Sequence, residues 1–124
     1  MANECIPLYR PGLDVSAVTT AAVTGKTFVD WSAGITTGLA SVAPATAAGK
    51  VAGVAAYDAA QGARVAVIRG KGQILPVTAG GNITALAEVE VGTGGKVVTA
   101  SAGVKVGRAL SAGSNNADCF VELY

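Results

Sequence analysis

Apolar residues along this chain alternate with polar ones in short runs and do not recur at helical spacing. The alternation is clear over residues 87–91, where Val alternates with Glu. Over residues 63–69, Val65 and Val67 alternate with Arg64 and Ala66. A period of two places every second side chain on one face, which is the pattern of a half-buried strand. The pattern therefore predicts a mainly β protein.

Glycine-rich turns separate the predicted strands, which span residues 15–23, 27–31, 51–57, 63–69, 73–77, 87–91, 96–99, 104–110 and 119–124. Residues 32–49 are small and include several glycines, so they predict a long surface loop. Residues 78–86 leave two interpretations open, a helical turn capped by Asn82 or a plain loop. Pro76 predicts a sheet edge or a strand end, because proline cannot donate a ladder hydrogen bond. Strands at this near-regular spacing predict a β-barrel or sandwich.

Residues 1–13 predict an extended N-terminal arm, followed by a β domain over residues 14–124. Pro7 and Pro11 fix their own φ and favour extended conformations in the residues before them. Ile6, Leu8 and Tyr9 give the arm apolar anchors without a helical pattern. Such a segment is typical of a strap that lies either on its own domain or on a partner.

The composition fits one domain of 124 residues with a thin core, since 51% of residues are hydrophobic but only 5% are aromatic, and 17 are Gly. Small side chains each bury little apolar surface, so we expect packing against neighbours to add stability. The net charge of +1, with scattered Lys and Arg, predicts no nucleic-acid partner. No window is apolar enough for a membrane span, and the start of the chain lacks the apolar core of a signal peptide, so we expect synthesis in a cytoplasm. Cys5 and Cys119 are accordingly predicted to be free thiols.

Chemistry-bearing patterns point away from an enzyme. The chain has no His, which excludes Ser/His/Asp and Cys/His couples within it, and two distant cysteines do not make a zinc site. Residues 24–27 imitate the end of a phosphate-binding loop, but the preceding Gly is replaced by Thr20 and a strand follows. Glu88 and Glu90 are interpreted as a solvated face, and Trp31 as a core residue in preference to a ligand-stacking one. We predict no catalytic, cofactor-binding or metal-binding residues.

The order of several short motifs resembles one family across nearly the whole chain. These motifs are residues 1–4, 6–9, 11–12, 21–29, 41–45, 51–55, 58–60, 88–96 and 106–110. In this order they resemble the small capsid decoration proteins of tailed phages of actinobacteria. Two residues depart from that family's pattern: Cys5 replaces a small residue such as Ala, and Leu86 occupies a turn where Gly is expected.

The resemblance implies a β-tulip-like sandwich that binds the outer surface of the capsid and stabilises the shell. It implies the major capsid protein of the same phage as partner, a homotrimer, location on the capsid exterior, and no cofactor. The capsid contact is expected in the arm, at Ile6, Pro7, Leu8, Tyr9, Arg10 and Pro11. Two alternatives stay open. One is a virion-displayed carbohydrate-binding or host-adhesion module, whose aromatic platform would draw on Trp31 and the tyrosines. The other is a tail-tube or head-completion protein.

Overall fold

The computed structural model describes residues 14–35, 38–47 and 49–124. In these ranges the chain forms strands and a single short turn of 3-10 helix at Thr93–Gly95, which confirms the prediction of a mainly β fold. The strands are β1 (Asp14–Thr19), β2 (Phe28–Ala33), β3 (Ala40–Pro44), β4 (Val51–Ala55), β5 (Arg64–Ile68), β6 (Ile74–Thr78), β7 (Glu88–Val91), β8 (Val97–Thr99), β9 (Lys105–Ala109) and β10 (Asp118–Leu123).

The prediction of one long surface loop over residues 32–49 is wrong, because β3 lies inside it. Val42 is fully buried at the centre of β3 and pairs with Trp31 on β2. The neighbours of Val42 are Ser41 and Ala43, so the strand shows little contrast between apolar and polar positions. Residues 78–86 form no helix; they loop back and make an isolated bridge between Ile83 and Gly113.

The first five strands close into a barrel in the order β1-β3-β2-β4-β5, with β5 returning to β1. All of these pairings are antiparallel except that of β1 with β3. We call this part of the chain the first unit. Its interior is filled by small and β-branched side chains, namely Ala17, Val23, Val29, Val42, Ala52, Ala55, Val65 and Val67. The closed order leaves no free strand edge in this unit.

The last five strands form a second sheet in the order β6-β10-β9-β7-β8, which we call the second unit. β6 is an end strand of this order, as Pro76 predicts. A parallel bridge from Ala79 to Val97 joins the chain just after β6 to the start of β8. In the second unit, this one bridge therefore completes the ring of strands. In the first unit, the full parallel pairing of β1 with β3 does so.

The two units repeat the same topology, because β6 to β10 pair with one another as β1 to β5 do. Their turns repeat as well. Lys26 has a φ of 63° and donates its backbone N–H to the Ala55 carbonyl, while Leu86 has a φ of 72° and donates to the Ala109 carbonyl. Reciprocal backbone bonds link Val23 with Ala59 in one unit and Ile83 with Gly113 in the other. The chain thus contains an internal structural duplication, in which the second unit repeats the first.

The units pack into one another and share a core. Phe28 and Val54 come from the first unit but are buried among second-unit residues such as Val77, Val91 and Leu123. The Thr78 backbone N–H donates to the Lys26 carbonyl at 2.8 Å. The Phe28 backbone lies so close to Gly95 that a Cβ there would be 2.4 Å from the Phe28 carbonyl oxygen. The outer face of β2 and β4 therefore covers the second unit.

Candidate functional site: two specialised surfaces

In each of the two units, an acidic side chain holds a loop by accepting a hydrogen bond from the loop's backbone. The Asp30 carboxylate on β2 accepts a hydrogen bond from the Thr46 backbone N–H at 3.0 Å. Gly49 lies against that carboxylate, since a Cβ there would be 1.6 Å from Asp30 Oδ2. In the second unit, Glu90 accepts the Gly103 backbone N–H at 2.7 Å in the same place. Glu90 was predicted to be simply solvated; instead it fixes the loop before β9.

Glu88 belongs to a charged cluster on the outer face of the second unit. Its carboxylate accepts hydrogen bonds from the Tyr124 hydroxyl at 2.5 Å and from the Lys105 ammonium at 3.0 Å, and it pairs across the sheet with Arg108. The Tyr124 hydrogen bond and then the Lys105 hydrogen bond lower the pKa of Glu88 below its usual value. The same contact with Glu88 raises the pKa of Lys105. Glu88 is therefore half-exposed and paired, where the sequence predicts only solvation.

This charged cluster lies on a face of the second unit. The corresponding face of the first unit is the one that packs against the second unit. Register places Glu88, Lys105 and Arg108 where the first unit has Phe28, Val51 and Val54. The apolar set packs against the second unit, whereas the charged set faces solvent. A repeated fold needs a polar outer face on its last repeat to stop further stacking. The second unit is thus capped against addition of a third.

A cleft opens at the other end of the first unit. It has a volume of about 410 Å³ and is lined by Trp31, Ser32, Ala33, Gly34, Ile35, Ala40 and Lys50. Trp31 is partly buried against the first-unit core, and the Arg69 guanidinium lies 6.0 Å from its ring centroid. Trp31 is therefore part core residue and part cleft wall. Ile35 is 55% exposed, so the cleft is lined by an accessible apolar side chain as well.

A second exposed surface, which we call the Phe120 patch, lies across β6, β10 and the end of β9. Phe120 pairs with Pro76, Ile74 pairs with the neighbouring Glu122, and Leu110 donates its backbone N–H to the Phe120 carbonyl. Phe120 is 51% exposed and Ile74 is 55% exposed. The first unit has Ala66, Ser16, Asp14 and Ala56 at the matching positions. The apolar patch is thus a property of the second unit and not a requirement of the fold.

The phosphate-loop imitation over residues 24–27 is a turn, as its context predicts. The Gly25 backbone N–H donates to Asp58 at 2.8 Å, and the Lys26 ammonium forms an ion pair with Asp118 at 2.9 Å. Within the described ranges, no three His, Cys, Asp or Glu residues are grouped closely enough to hold a metal ion. The same ranges contain no helix of the length and apolar character needed to cross a membrane.

The predicted capsid-contact residues, Ile6 to Pro11, lie outside the described residues, and so does Cys5. The boundary between arm and β domain therefore stays a prediction. Cys119 is fully buried and forms no disulfide within the described residues, and its redox state stays a prediction. Burial raises the pKa of this thiol above its usual value. Leu86, which departs from the family pattern at a glycine turn, does adopt a positive φ of 72° with its side chain exposed.

Sequence reasoning missed the duplication and both specialised surfaces. The only sequence signal for the duplication is a sparse set of matched small or β-branched residues, such as Val29 with Val89 and Gly53 with Gly107. Such matches are common by coincidence in a chain rich in Gly, Ala and Val. The sequence carries no recognisable motif for the two surfaces, because each surface is recognised only by comparing matched positions of the two units.

Comparison with solved structures finds the same fold in a phage protein. The chain is similar to the crystal structure of the head fiber gp8.5 N base of bacteriophage phi29, with a TM-score of 0.69 and 17% sequence identity. The match covers 90% of this chain and 92% of that chain. No protein-family model matches the sequence, and no curated protein sequence matches it either. The resemblance to capsid decoration proteins therefore stays a prediction, while the fold is shared with the phi29 protein.

Proposed function

We propose that this chain is a structural virion protein that binds the outer surface of a tailed-phage capsid and stabilises the shell. The observation that carries the proposal is the fold shared with a phage head fiber base over 90% of the chain. The described residues support a structural role, because their carboxylates hold loops and cap a sheet face. This use of the acidic residues fits a protein that acts by binding and not by catalysis.

The proposed partner is the major capsid protein of the same phage, and the proposed contact is the arm at Ile6, Pro7, Leu8, Tyr9, Arg10 and Pro11. An extended segment with spaced apolar side chains suits addition to a neighbouring surface, because its main chain can pair while its side chains enter pockets. The protein then sits on the capsid exterior after synthesis in the bacterial cytoplasm. It acts without a cofactor.

Deletion of residues 2–12 tests the arm. Purified capsids lacking the protein are mixed with the full chain or the deleted chain, and occupancy is measured by electron microscopy. We expect the deletion to abolish occupancy while the far-ultraviolet circular dichroism of the β domain is retained. A matched control replaces Asn3 by Ala, which leaves the apolar anchors in place. Equal occupancy of the deleted and full chains would contradict the assignment.

The Phe120 patch is our proposed contact between copies in a homotrimer. Its exposed Phe120, Ile74 and Leu110 would be removed from water there, at about 25 cal/mol per Å² of apolar surface. Sedimentation tests this with Phe120→Ser, and the control is Ala66→Ser at the matching position of the first unit. We expect only Phe120→Ser to shift the protein towards monomer. A trimer that is unchanged by this substitution would refute the proposed contact.

A carbohydrate-binding role finds less support in the geometry. Trp31 lines the cleft beside Lys50, Tyr57 lies beyond the opposite end of β4, and Tyr124 is hydrogen-bonded to Glu88. These three aromatic residues therefore do not form one platform. A glycan array probed with the purified protein separates the two functions, since capsid binding without glycan binding is expected here.

A further inference from the structure

The internal duplication assigns a role to the Trp31 cleft, because the matching place in the second unit is occupied. Trp31 pairs with Val42 as Val91 pairs with Val97, so Trp31 corresponds to Val91. Val42 therefore corresponds to Val97. Two residues before each of them, Ala40 corresponds to Gly95. In the second unit the Phe28 backbone lies directly against Gly95, and Phe28 shares a core with Val91. In the first unit the same corner is the open cleft.

The covering element in the second unit is the chain that precedes β6, namely the first unit. The chain that precedes β1 is the arm, residues 1–13. We propose that this arm lies in the Trp31 cleft of its own chain, with Ile6 and Leu8 as the apolar side chains that enter it. The proposal concerns the free protein, before the arm binds a capsid.

The position of β1 brings the arm to the cleft. Ala17 pairs with Ala40, a residue of the cleft wall, and the described chain begins three residues earlier at Asp14. The arm therefore leaves β1 about 10 Å along the strand from the Ala40 level. The six residues from Leu8 to Leu13 reach about 20 Å when extended, which covers this distance and allows residues 6–8 to lie in the cleft.

Charge supports the arm over a second copy as occupant. The cleft carries Lys50, and the arm carries Glu4 before its apolar anchors and Arg10 after them, so its side chains bring no net charge to the apolar wall. Stacking of another molecule in the way that the two units stack would instead bring Glu88, Lys105 and Arg108 against the apolar cleft wall. Burying these charges against Trp31 and Ile35 is unfavourable. Side chains alternate along an extended segment, so Cys5 and Tyr9 then face away from the cleft.

The natural Cys5 of the arm permits a direct test by crosslinking. Ile35→Cys introduces a thiol at the cleft, and Tyr57→Cys introduces one beyond the far end of β4, at positions with 55% and 53% exposure in the parent chain. Cys119 is buried and serves as an internal bystander. After treatment of the full chain with a short bismaleimide crosslinker, which can reach Cys5 on the outward face of the arm, we expect an intramolecular link to Cys5 in the Ile35→Cys variant and not in the Tyr57→Cys variant. Nonreducing electrophoresis and peptide mapping identify the link.

Trp31 is the single tryptophan and gives a second readout without new cysteines. The double variant Ile6→Asp and Leu8→Asp is compared with Asn3→Asp. We expect only the double variant to shift Trp31 emission to longer wavelength and to raise acrylamide quenching several-fold. The proposal is overturned by a link between two molecules, by equal linking at both positions, or by unchanged emission in the double variant. Because neither measurement uses capsids, failure here is distinct from failure of the capsid-binding proposal.

Discussion

Phe28 joins the two units, and its truncation offers the sharpest test of the shared core. The side chain is 1% exposed and lies in the core of the second unit although it comes from a strand of the first. Phe28→Ala removes the largest apolar side chain from this junction and leaves a cavity. The surrounding strands cannot collapse freely into it, because the Phe28 backbone is itself packed against Gly95.

The expected cost follows from the burial. Truncation of a fully buried Phe to Ala destabilises by about 3–5 kcal/mol, against a total stability of about 5–15 kcal/mol for a typical domain. The unfolding entropy of about 2.1 cal/mol/K per residue, over the length of this chain, converts this loss to a fall in Tm of about 12–20 °C. The chain provides a matched control, since its only other phenylalanine is Phe120, which is 51% exposed.

Thermal unfolding followed by circular dichroism measures both variants at low protein concentration, so that association contributes little. Phe120→Ala should lower Tm by about 2 °C or less, because surface changes usually cost under about 0.5 kcal/mol. Phe28→Ala should unfold in a single transition at a much lower temperature. The reasoning is refuted if the two variants melt together, or if Phe28→Ala loses only part of the signal at the lower temperature. The second result would mean that the units fold independently.

Three further predictions concern the junction, the charged cluster and the buried thiol. Gly95→Ala should lower stability by several kcal/mol in urea unfolding, because the added Cβ meets backbone at a φ of 76°, whereas Gly94→Ala at a φ of 70° meets open space and should cost about 1 kcal/mol. The pKa of Glu88 is lowered in the folded state, so its contribution to stability is present above the unfolded pKa and is lost as pH falls through the folded pKa. Carboxyl titration by NMR should show this depression, and Tyr124→Phe should raise the Glu88 pKa back towards its usual value. Cys119 should react with a thiol reagent only when the protein unfolds, since burial raises its pKa, and fast labelling of the native protein at this residue would contradict that burial.

Sequence pattern alone was enough for the strands whose two faces differ. The alternation of Val with Glu around Val89 and of Val with Arg and Ala around Val65 and Val67 requires one buried and one exposed face, and both segments are strands. β3 was missed because Ala and Ser flank its one buried residue, Val42, and give no contrast. The absence of His was likewise readable without a structure, and it excluded the common catalytic couples.

The tertiary structure decided everything that depends on comparing distant segments. Val89 and Val29 hold matching places in two units, yet their neighbours Glu88 and Phe28 differ because one face is exposed and the other is covered. Local sequence cannot report that difference, since burial of a strand face depends on which other strands pack on it. The mainly β character was thus set by local alternation along the chain. The shared core, the charged cap and the open cleft at Trp31 exist only because two similar sheets stack in one direction and leave their two ends unlike.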